Sequence, residues 1–289
     1  MIITLKNEQL SVQVSTAGAE MQAITTEDGI EYLWDGNPTY WGNRATNLFP
    51  YVGRLYEKTY LMDGQRYELG IHGFLRYAET LPREQSATRV YLETESTPET
   101  LAQYPFPFRA GVDYRLERRT LHITYRVLNM GSKAMYFGLG GHPGFRVPLE
   151  EGLAFEDYEL RFEQPAQHLL VSDSCLMTGE SQSFPLDNGR LPLRHDLFDH
   201  DAIILDNPGR SVTLQSQKGR RGITLRHPQM PYLGLWHKPH TTAPFVCLEP
   251  WLSLPGREGI VEDLARQPGL ARLEPGQKYE NIWSIEVLG

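Results

Sequence analysis

The segment Asn47–Arg76 reads NLFPYVGRLYEKTYLMDGQRYELGIHGFLR and predicts both an element of the fold and a place for chemistry. Two runs within it, Thr59–Met62 and Arg66–Leu69, alternate apolar and polar side chains, which is the pattern of half-buried strands. Asp63-Gly64 between them is a typical two-residue turn of a β-hairpin. We therefore expect an antiparallel hairpin at the centre of this segment.

The rest of the 289-residue chain shows the same preference for short strands. It contains 26 glycines and 20 prolines, 11% of its residues are aromatic, and turn signals separate many short alternating runs. Helix signals are confined to a start at Thr97-Pro98 and a short segment at Ile260–Arg266. We predict an all-β protein, a large antiparallel β-sandwich or barrel with a few short helices, forming a single domain over residues 1–289.

Composition and charge narrow the possible partners and location. The net charge of −8 argues against nucleic acids and anionic membranes, because an acidic surface repels both. Cys175 and Cys247 lie far apart in the sequence, which favours free thiols and a reducing compartment. No apolar run approaches the roughly 20 residues of a membrane span, and the N-terminus lacks the layout of a signal peptide. These features predict a cytoplasmic protein.

Two residues in separate segments are candidates for acid–base chemistry. His142 follows two glycines and precedes Pro143, so its ring can be directed from the end of a strand. Histidine is the side chain most easily used as acid or base near neutral pH. Glu249 ends the apolar run Phe245–Leu248, where a carboxylate is costly unless it is paired, and proteins often exploit its shifted pKa. A turn-capping histidine and a buried ion pair are the structural alternatives.

Further polar residues could bind a ligand. Arg54 can donate a forked pair of hydrogen bonds to neighbouring hydroxyls, and His72 can donate from its ring. Asp201 precedes an apolar strand, and Asp199 is its rival because both point to the same side of an extended chain. Arg76 is interpreted as a structural ion-pair partner.

A metal site built from His72, His142 and Glu249 is disfavoured, and we predict no metal. Two histidines and a carboxylate would suit zinc or iron, but each of the three lies in a separate segment without a paired-histidine motif. The chain also lacks a phosphate-cradling glycine loop or a nucleotide fingerprint. No cofactor is therefore expected.

At the level of motifs, the sequence resembles the aldose 1-epimerase (galactose mutarotase-like) superfamily, and most closely its LacX-like branch. The motifs stand in family order along almost the whole chain: GAEMQAI (Gly18–Ile24), EYLWDGNPTYW (Glu31–Trp41), LFPYVGRL (Leu48–Leu55), HGFLR (His72–Arg76), GGHPGF (Gly140–Phe145), DAIIL (Asp201–Leu205), LGLW (Leu233–Trp236) and CLEPW (Cys247–Trp251). Thr46 departs from the pattern, because a proline often stands there in this branch. We interpret this position as part of a loop, away from the chemistry.

The resemblance implies a twisted β-sandwich with its active site in an open cleft on one sheet. It also implies a role for each matching residue, with Glu249 as catalytic base and His142 as catalytic acid. Arg54 and His72 would orient the substrate, and Asp201 would bind sugar hydroxyls. The implied reaction interconverts the α and β anomers of an aldohexose by ring opening and reclosure.

Other functions remain possible from the sequence. A hexose-6-phosphate 1-epimerase would need extra basic residues beside the cleft, for which Arg44, Arg109 and Arg146 are available. A non-catalytic carbohydrate-binding protein would not need both His142 and Glu249, and a glycoside hydrolase usually needs two carboxylates. In each case the partner is a small-molecule sugar, and the protein is expected to be a monomer or homodimer.

Overall fold

Strands form about half of the chain. In a computed structural model that describes residues 1–289, 49% of the residues lie in strands and 7% in helices. The strand pairs in the two large sheets and in the smaller sheets are antiparallel, with one exception. In that exception, Glu262–Asp263 pairs in parallel with the strand Thr59–Met62. The predicted all-β class is confirmed.

The strands are numbered in chain order. They are β1 (Ile2–Lys6), β2 (Leu10–Ser15), β3 (Met21–Thr26), β4 (Ala45–Leu48), β5 (Thr59–Met62), β6 (Gln65–Glu68), β7 (Leu81–Gln85), β8 (Arg89–Glu95), β9 (Phe108–Glu117), β10 (Thr120–Asn129), β11 (Met135–Phe137), β12 (Gly140–Arg146), β13 (Tyr158–Phe162), β14 (Gln167–Val171), β15 (Met177–Ser183), β16 (Arg190–Pro192), β17 (Ile203–Asp206), β18 (Ser211–Ser216), β19 (Gly222–Arg226), β20 (Tyr232–Trp236), β21 (Phe245–Trp251), β22 (Glu262–Asp263), β23 (Ala271–Leu273) and β24 (Lys278–Leu288).

Two large sheets enclose the main core. One has nine strands in the order β16-β13-β18-β19-β24-β10-β9-β8-β7, and the other has seven in the order β15-β14-β17-β20-β21-β12-β4. Alternate residues of both sheets enter one cluster of 63 buried residues, as with Val112 and Ile285 from the first sheet and Val246 and Leu248 from the second. Successive side chains of a strand point to opposite faces of its sheet. The residues of the second sheet that lie between these core residues therefore point away from the core.

Helices are few and short. The α-helix α1 (Pro98–Gln103) begins where the sequence predicts it, and the Thr97 hydroxyl accepts a hydrogen bond from the backbone N–H of Thr100. Four 3-10 helices of one turn complete the set: Tyr56–Lys58, Leu75–Tyr77, Phe155–Asp157 and His195–Phe198. None of these helices has the length and apolar character needed to cross a membrane.

The helix predicted at Ile260–Arg266 is wrong. Its central residues form β22, which pairs in parallel with β5. Glu262 is buried there and accepts two hydrogen bonds from the Arg257 guanidinium, at 2.8 and 2.9 Å. This tertiary ion pair outweighs the weak local preference for a helix.

The hairpin predicted at the centre of Asn47–Arg76 is formed by β5 and β6. Asp63 and Gly64 both have positive φ, 52° and 76°, as a tight turn of this kind requires. Beyond the hairpin, the backbone N–H of His72 donates to the carbonyl of Gly53 at 2.9 Å. The hairpin therefore closes a loop whose two ends carry Arg54 and His72.

Candidate active site

A row of four residues crosses the seven-stranded sheet. On β4 and β12, Thr46 pairs with His142. The register of β12 with β21 pairs Gly140 with Trp251 and Gly144 with Cys247, which sets His142 opposite Glu249. Glu249 in turn pairs with Gly234 on β20. Residues in such a row share one face of the sheet, so Thr46, His142 and Glu249 project side by side.

This face of the sheet is the one turned away from the main core. On β21, Val246 and Leu248 pack into the core between the sheets, whereas Glu249 projects to the opposite side. A cavity of about 350 Å³ covers the row there. It is lined by Tyr40, Trp41, Thr46, Gly53, Arg54, Ile71, His72, Arg76, His142, Val171, Cys175, Asp201, Ala202, Ile204, Trp236, Lys238, Pro239, Glu249, Trp251 and Pro255.

Two glycines next to the histidines of the cavity lie so close to neighbouring atoms that a side chain would not fit. A Cβ on Gly141, next to His142, would lie 2.7 Å from the indole of Trp283. A Cβ on Gly73, next to His72, would lie 2.3 Å from the carbonyl oxygen of Phe49, and its φ of +68° is one that other residues rarely adopt. Only glycine fits at either position without a shift of its neighbours.

His142 and Glu249 form a close, buried pair. The Nε2 atom of His142 lies 3.3 Å from Oε2 of Glu249, and the two residues are 8% and 1% exposed. The imidazole of His142 stacks on the indole of Trp41, with centroids 4.7 Å apart and an interplanar angle of 25°. The rings of His72 and Trp236 meet it edge-on at 5.4 and 5.8 Å. These contacts fix the orientation of His142.

Burial acts oppositely on the pKa values of the two groups. It raises the pKa of the Glu249 carboxyl well above its ordinary value, and the negative charge of Asp201 acts in the same direction. Burial and the positive charge of Arg76 lower the pKa of His142 to about 3. Burial therefore favours the uncharged form of both groups.

His72 faces the same cavity in a defined tautomer. Its Nδ1 accepts a hydrogen bond from the backbone N–H of Gly53 at 3.1 Å. Burial lowers the pKa of His72 well below its ordinary value, so the ring is neutral. A neutral ring that accepts at Nδ1 carries its proton on Nε2. His72 thus offers one N–H donor, and its φ of +64° shows that the backbone is constrained to place it.

Asp201 lines the cavity, whereas Asp199 does not. The carboxylate of Asp199 accepts from the backbone N–H of His240 at 3.0 Å and lies 3.2 Å from its ring. The thiol of Cys175 donates to Oδ2 of Asp201 at 2.7 Å. Burial, together with Asp201, raises the pKa of this thiol to about 12, so it remains a donor at neutral pH.

Arg76 was misassigned from the sequence. It forms no ion pair, lines the cavity, and its buried Nε has no hydrogen-bond partner. Arg54 and Lys238 also line the cavity as exposed side chains without an ion pair. The sequence could not separate Arg76 from a structural arginine, because its position depends on the turn after His72. The role of Lys238 at the end of β20 was missed, since no motif marks it.

Thr46 was also misinterpreted. It lies in β4 rather than in a loop, is 2% exposed, and lines the cavity. Its hydroxyl oxygen has no hydrogen-bond partner. Other buried polar atoms of cavity residues are unpartnered as well: His142 Nδ1, Glu249 Oε2, Trp251 Nε1 and Arg76 Nε. Because buried polar groups are normally hydrogen-bonded, this concentration indicates a cavity built to receive a polar ligand.

The potential metal ligands differ from those weighed in the sequence. The ligand atoms of His142, Cys247 and Glu249 lie within 4.8 Å of one another, and His72 is not in this group. Burial raises the pKa of the Cys247 thiol well above its ordinary value. This thiol and the Glu249 carboxyl must both be deprotonated to bind a metal ion, and burial disfavours the charged form of each. Acid–base chemistry suits this group better than metal binding.

The family model for aldose 1-epimerase matches residues 1–285, and the chain belongs to this family. Two proteins of Lactococcus lactis subsp. lactis named LacX, one chromosomal and one plasmid-encoded, are each 34% identical to it over 303 aligned positions covering both chains in full. A galactose mutarotase related enzyme from Lactobacillus acidophilus superposes with a TM-score of 0.95 and 30% identity over 99% of this chain and 97% of its own. A galactose mutarotase-like protein from Lactobacillus casei gives a TM-score of 0.94 and 31% identity over 99% and 100%. The predicted sandwich and superfamily are confirmed.

Proposed function

We propose that the protein is an aldose 1-epimerase that interconverts the α and β anomers of an aldohexose. The observation that carries this proposal is the His142–Glu249 pair, with 3.3 Å between Nε2 and Oε2, on the floor of a cavity large enough for a sugar. Anomer exchange requires one group to remove a proton from the substrate and a second group to deliver one. Membership of the aldose 1-epimerase family supports the same reaction.

In the proposed reaction, the carboxylate of Glu249 removes the proton of the anomeric hydroxyl, and His142 protonates the ring oxygen. The bond between C1 and the ring oxygen breaks and leaves an open-chain aldehyde. Rotation about C1–C2 exposes the other face of the carbonyl. The ring oxygen then attacks that face, returning its proton to His142, while Glu249 returns a proton to O1.

In this scheme, His142 carries a proton and Glu249 is ionised before the ring opens. Burial opposes both charges, because it raises the pKa of Glu249 and lowers the pKa of His142. A sugar hydroxyl that donates to Glu249 stabilises the carboxylate form and favours transfer to His142. Forming two opposite charges in a buried site costs desolvation energy, and their mutual attraction across 3.3 Å offsets part of that cost.

The remaining cavity residues suit the binding of a hydroxylated ring. Nε2–H of His72 and the guanidinium of Arg54 offer donors, and Asp201 offers an acceptor whose second partner is the Cys175 thiol. We assign substrate orientation to these three residues and proton transfer to His142 and Glu249. The indoles that line the cavity, Trp41, Trp236 and Trp251, offer apolar surface for the face of a sugar.

The test is anomer exchange measured by NMR on glucose, galactose and their 6-phosphates. We expect at least one sugar to equilibrate faster than in buffer alone, in proportion to enzyme concentration. If every sugar binds but none is accelerated, the protein is a carbohydrate-binding protein instead. If none binds, the proposal fails altogether. The single-domain organisation, cytoplasmic location and oligomeric state remain predictions.

A second candidate function is the epimerisation of an anionic sugar such as a hexose 6-phosphate. One observation favours it: Arg54, Arg76 and Lys238 line the cavity without a carboxylate partner, in a chain whose net charge is −8. The basic residues considered from the sequence are not the relevant ones. Arg44 donates to the carbonyl of Gln22, Arg109 pairs with Glu95, and neither these two nor Arg146 lines the cavity.

The two candidates differ in their response to removing a cavity cation. If the substrate is phosphorylated, Lys238→Ala should lower kcat/KM for the 6-phosphate by about tenfold, the lower end expected for a charge-assisted contact, and leave the free sugar unchanged. Lys218→Ala removes the same charge from a lysine that pairs with Asp157, and it serves as the control. Equal effects of Lys238→Ala on both sugars would exclude selective recognition of phosphate by this residue.

A further inference from the structure

Thr46 is a buried polar residue for which the proton-transfer scheme has no use. Only 2% of its surface is exposed, it lines the cavity, and its hydroxyl oxygen has no partner. A buried hydroxyl without a hydrogen bond destabilises the folded state. A valine would have nearly the same shape without this cost, so the packing of β4 does not require threonine.

A second buried threonine shows what a structural role looks like. Thr80 is 1% exposed, and its hydroxyl donates to the backbone carbonyl of Thr16 at 2.7 Å. That hydrogen bond ties two segments together and has nothing to do with the cavity. Thr46 makes no comparable contact, so its hydroxyl keeps an unused hydrogen bond in a residue that lines the cavity.

The position of Thr46 in the row identifies the part of a sugar that it would meet. Across β4, β12 and β21 the order is Thr46, His142, Glu249, with adjacent strands about 4.8 Å apart. In a pyranose, the ring oxygen lies between C1, which bears the anomeric hydroxyl, and C5, which bears the exocyclic C6. If Glu249 meets the anomeric hydroxyl and His142 the ring oxygen, the next residue in the row lies beside the C5 substituent.

We propose that Thr46 is a specificity-determining residue whose hydroxyl hydrogen-bonds the exocyclic oxygen on C6 of the bound aldohexose. This inference rests on the proposed function, because the orientation of the sugar follows from the roles of Glu249 and His142. This hydrogen bond would make the site bind hexoses more tightly than pentoses, which lack C6.

The test combines three variants with three sugars. Thr46→Val removes the hydroxyl and keeps the shape, Thr46→Ser keeps the hydroxyl, and Thr80→Val is the matched control. The sugars are a substrate hexose, its 6-deoxy analogue and the corresponding pentose. Dissociation constants from calorimetry accompany KM and kcat, and melting temperatures are measured without ligand.

For the hexose, Thr46→Val should raise Kd and KM about two- to tenfold, as expected for the loss of one hydrogen bond, and Thr46→Ser should restore them. For the 6-deoxy sugar and the pentose, Thr46→Val should bind as the wild type does. Without ligand, Thr46→Val should melt no lower than the wild type, whereas Thr80→Val should melt lower and keep its KM.

Several results would overturn the inference. These are an unchanged Kd of Thr46→Val for the hexose, an equal loss for all three sugars, or a loss that Thr46→Ser does not restore. The dissociation constants test the role of Thr46 even if the wild type binds sugars without converting them. In that case only the proposed activity is refuted. If the wild type converts the hexose and Thr46→Val is indistinguishable from it, the activity stands and the role of Thr46 is refuted. If no sugar binds at all, both are refuted.

Discussion

Replacing Glu249 with glutamine separates catalysis from binding at the candidate site. The amide has nearly the size of the carboxyl group, but it cannot accept a proton from the anomeric hydroxyl. General base catalysis by one positioned group contributes about 10²–10⁴-fold. We expect kcat of Glu249→Gln to fall by this factor, equivalent to about 3–5 kcal/mol of activation free energy. The dissociation constant should change little, because Arg54, His72 and Asp201 still hold the sugar.

The same substitution should raise the stability of the fold above acidic pH. Burial raises the pKa of Glu249 above its ordinary 4.5, so the folded state prefers the neutral carboxyl. A group with a raised folded pKa stabilises the fold fully below its unfolded pKa, and this contribution is lost as pH rises towards the folded pKa. The wild type thus loses about 1.4 kcal/mol per pH unit over that interval, and glutamine does not. The variant should gain relative stability from about pH 4.5 upwards.

Two measurements check this reasoning, and each can contradict it. Anomer exchange by NMR, corrected for the buffer rate, gives kcat, and calorimetry gives the dissociation constant. Thermal unfolding at pH 4.5, 6 and 7.5 gives the stability difference. Glu180→Gln, an exposed residue of the same sheet without an ion pair, is the control for lost charge. Turnover within threefold of the wild type would refute Glu249 as the base. A stability difference that is constant with pH would refute the raised pKa.

Three further substitutions examine other parts of the site. His142→Asn should lower kcat about 10²–10⁴-fold in the exchange assay, as for the loss of a general acid. Its unfolding should also be less sensitive to acid, because the lowered pKa of His142, about 3, makes the wild type lose stability as pH falls from 6.5 towards 3. Cys175→Ala removes the donor to Asp201 and should raise KM about two- to tenfold with kcat nearly unchanged, and Cys175→Ser should restore KM. Gly73→Ala should destabilise the protein by about 1–3 kcal/mol in denaturant unfolding, because its φ is +68° and the new Cβ would meet the Phe49 carbonyl.

Local patterns in the sequence were sufficient for the fold class and for the hairpin β5–β6. The alternation of apolar and polar residues and the Asp63-Gly64 turn depend only on neighbouring residues, so both can be recognised without knowledge of the tertiary structure. The segment Ile260–Arg266 failed for the opposite reason. Its conformation depends on the ion pair between Glu262 and Arg257 and on pairing with β5. Neither interaction produces a periodic pattern in the sequence.

Some residues of the candidate site could likewise be predicted from local sequence, and others could not. His142 and Glu249 stand out because glycine, proline and an apolar run mark them locally. Thr46 and Arg76 do not, since a threonine in a short strand and an arginine after a turn are ordinary residues by sequence. What distinguishes them is the absence of a partner for Thr46 Oγ1 and Arg76 Nε inside a cavity. That property belongs to the assembled structure.

The register of β12 and β21 explains how one pair of groups can serve both directions of the proposed reaction. Anomer exchange is reversed by exchanging the roles of acid and base, so each group must both give and accept a proton. Burial raises the pKa of the Glu249 carboxyl and lowers that of the His142 imidazole, and only 3.3 Å separates Oε2 from Nε2. Placing His142 and Glu249 directly opposite each other on β12 and β21 makes this separation a property of the sheet. A change of register by one residue would turn one of the groups to the other face, so the pairing that stabilises the fold also enforces the chemistry.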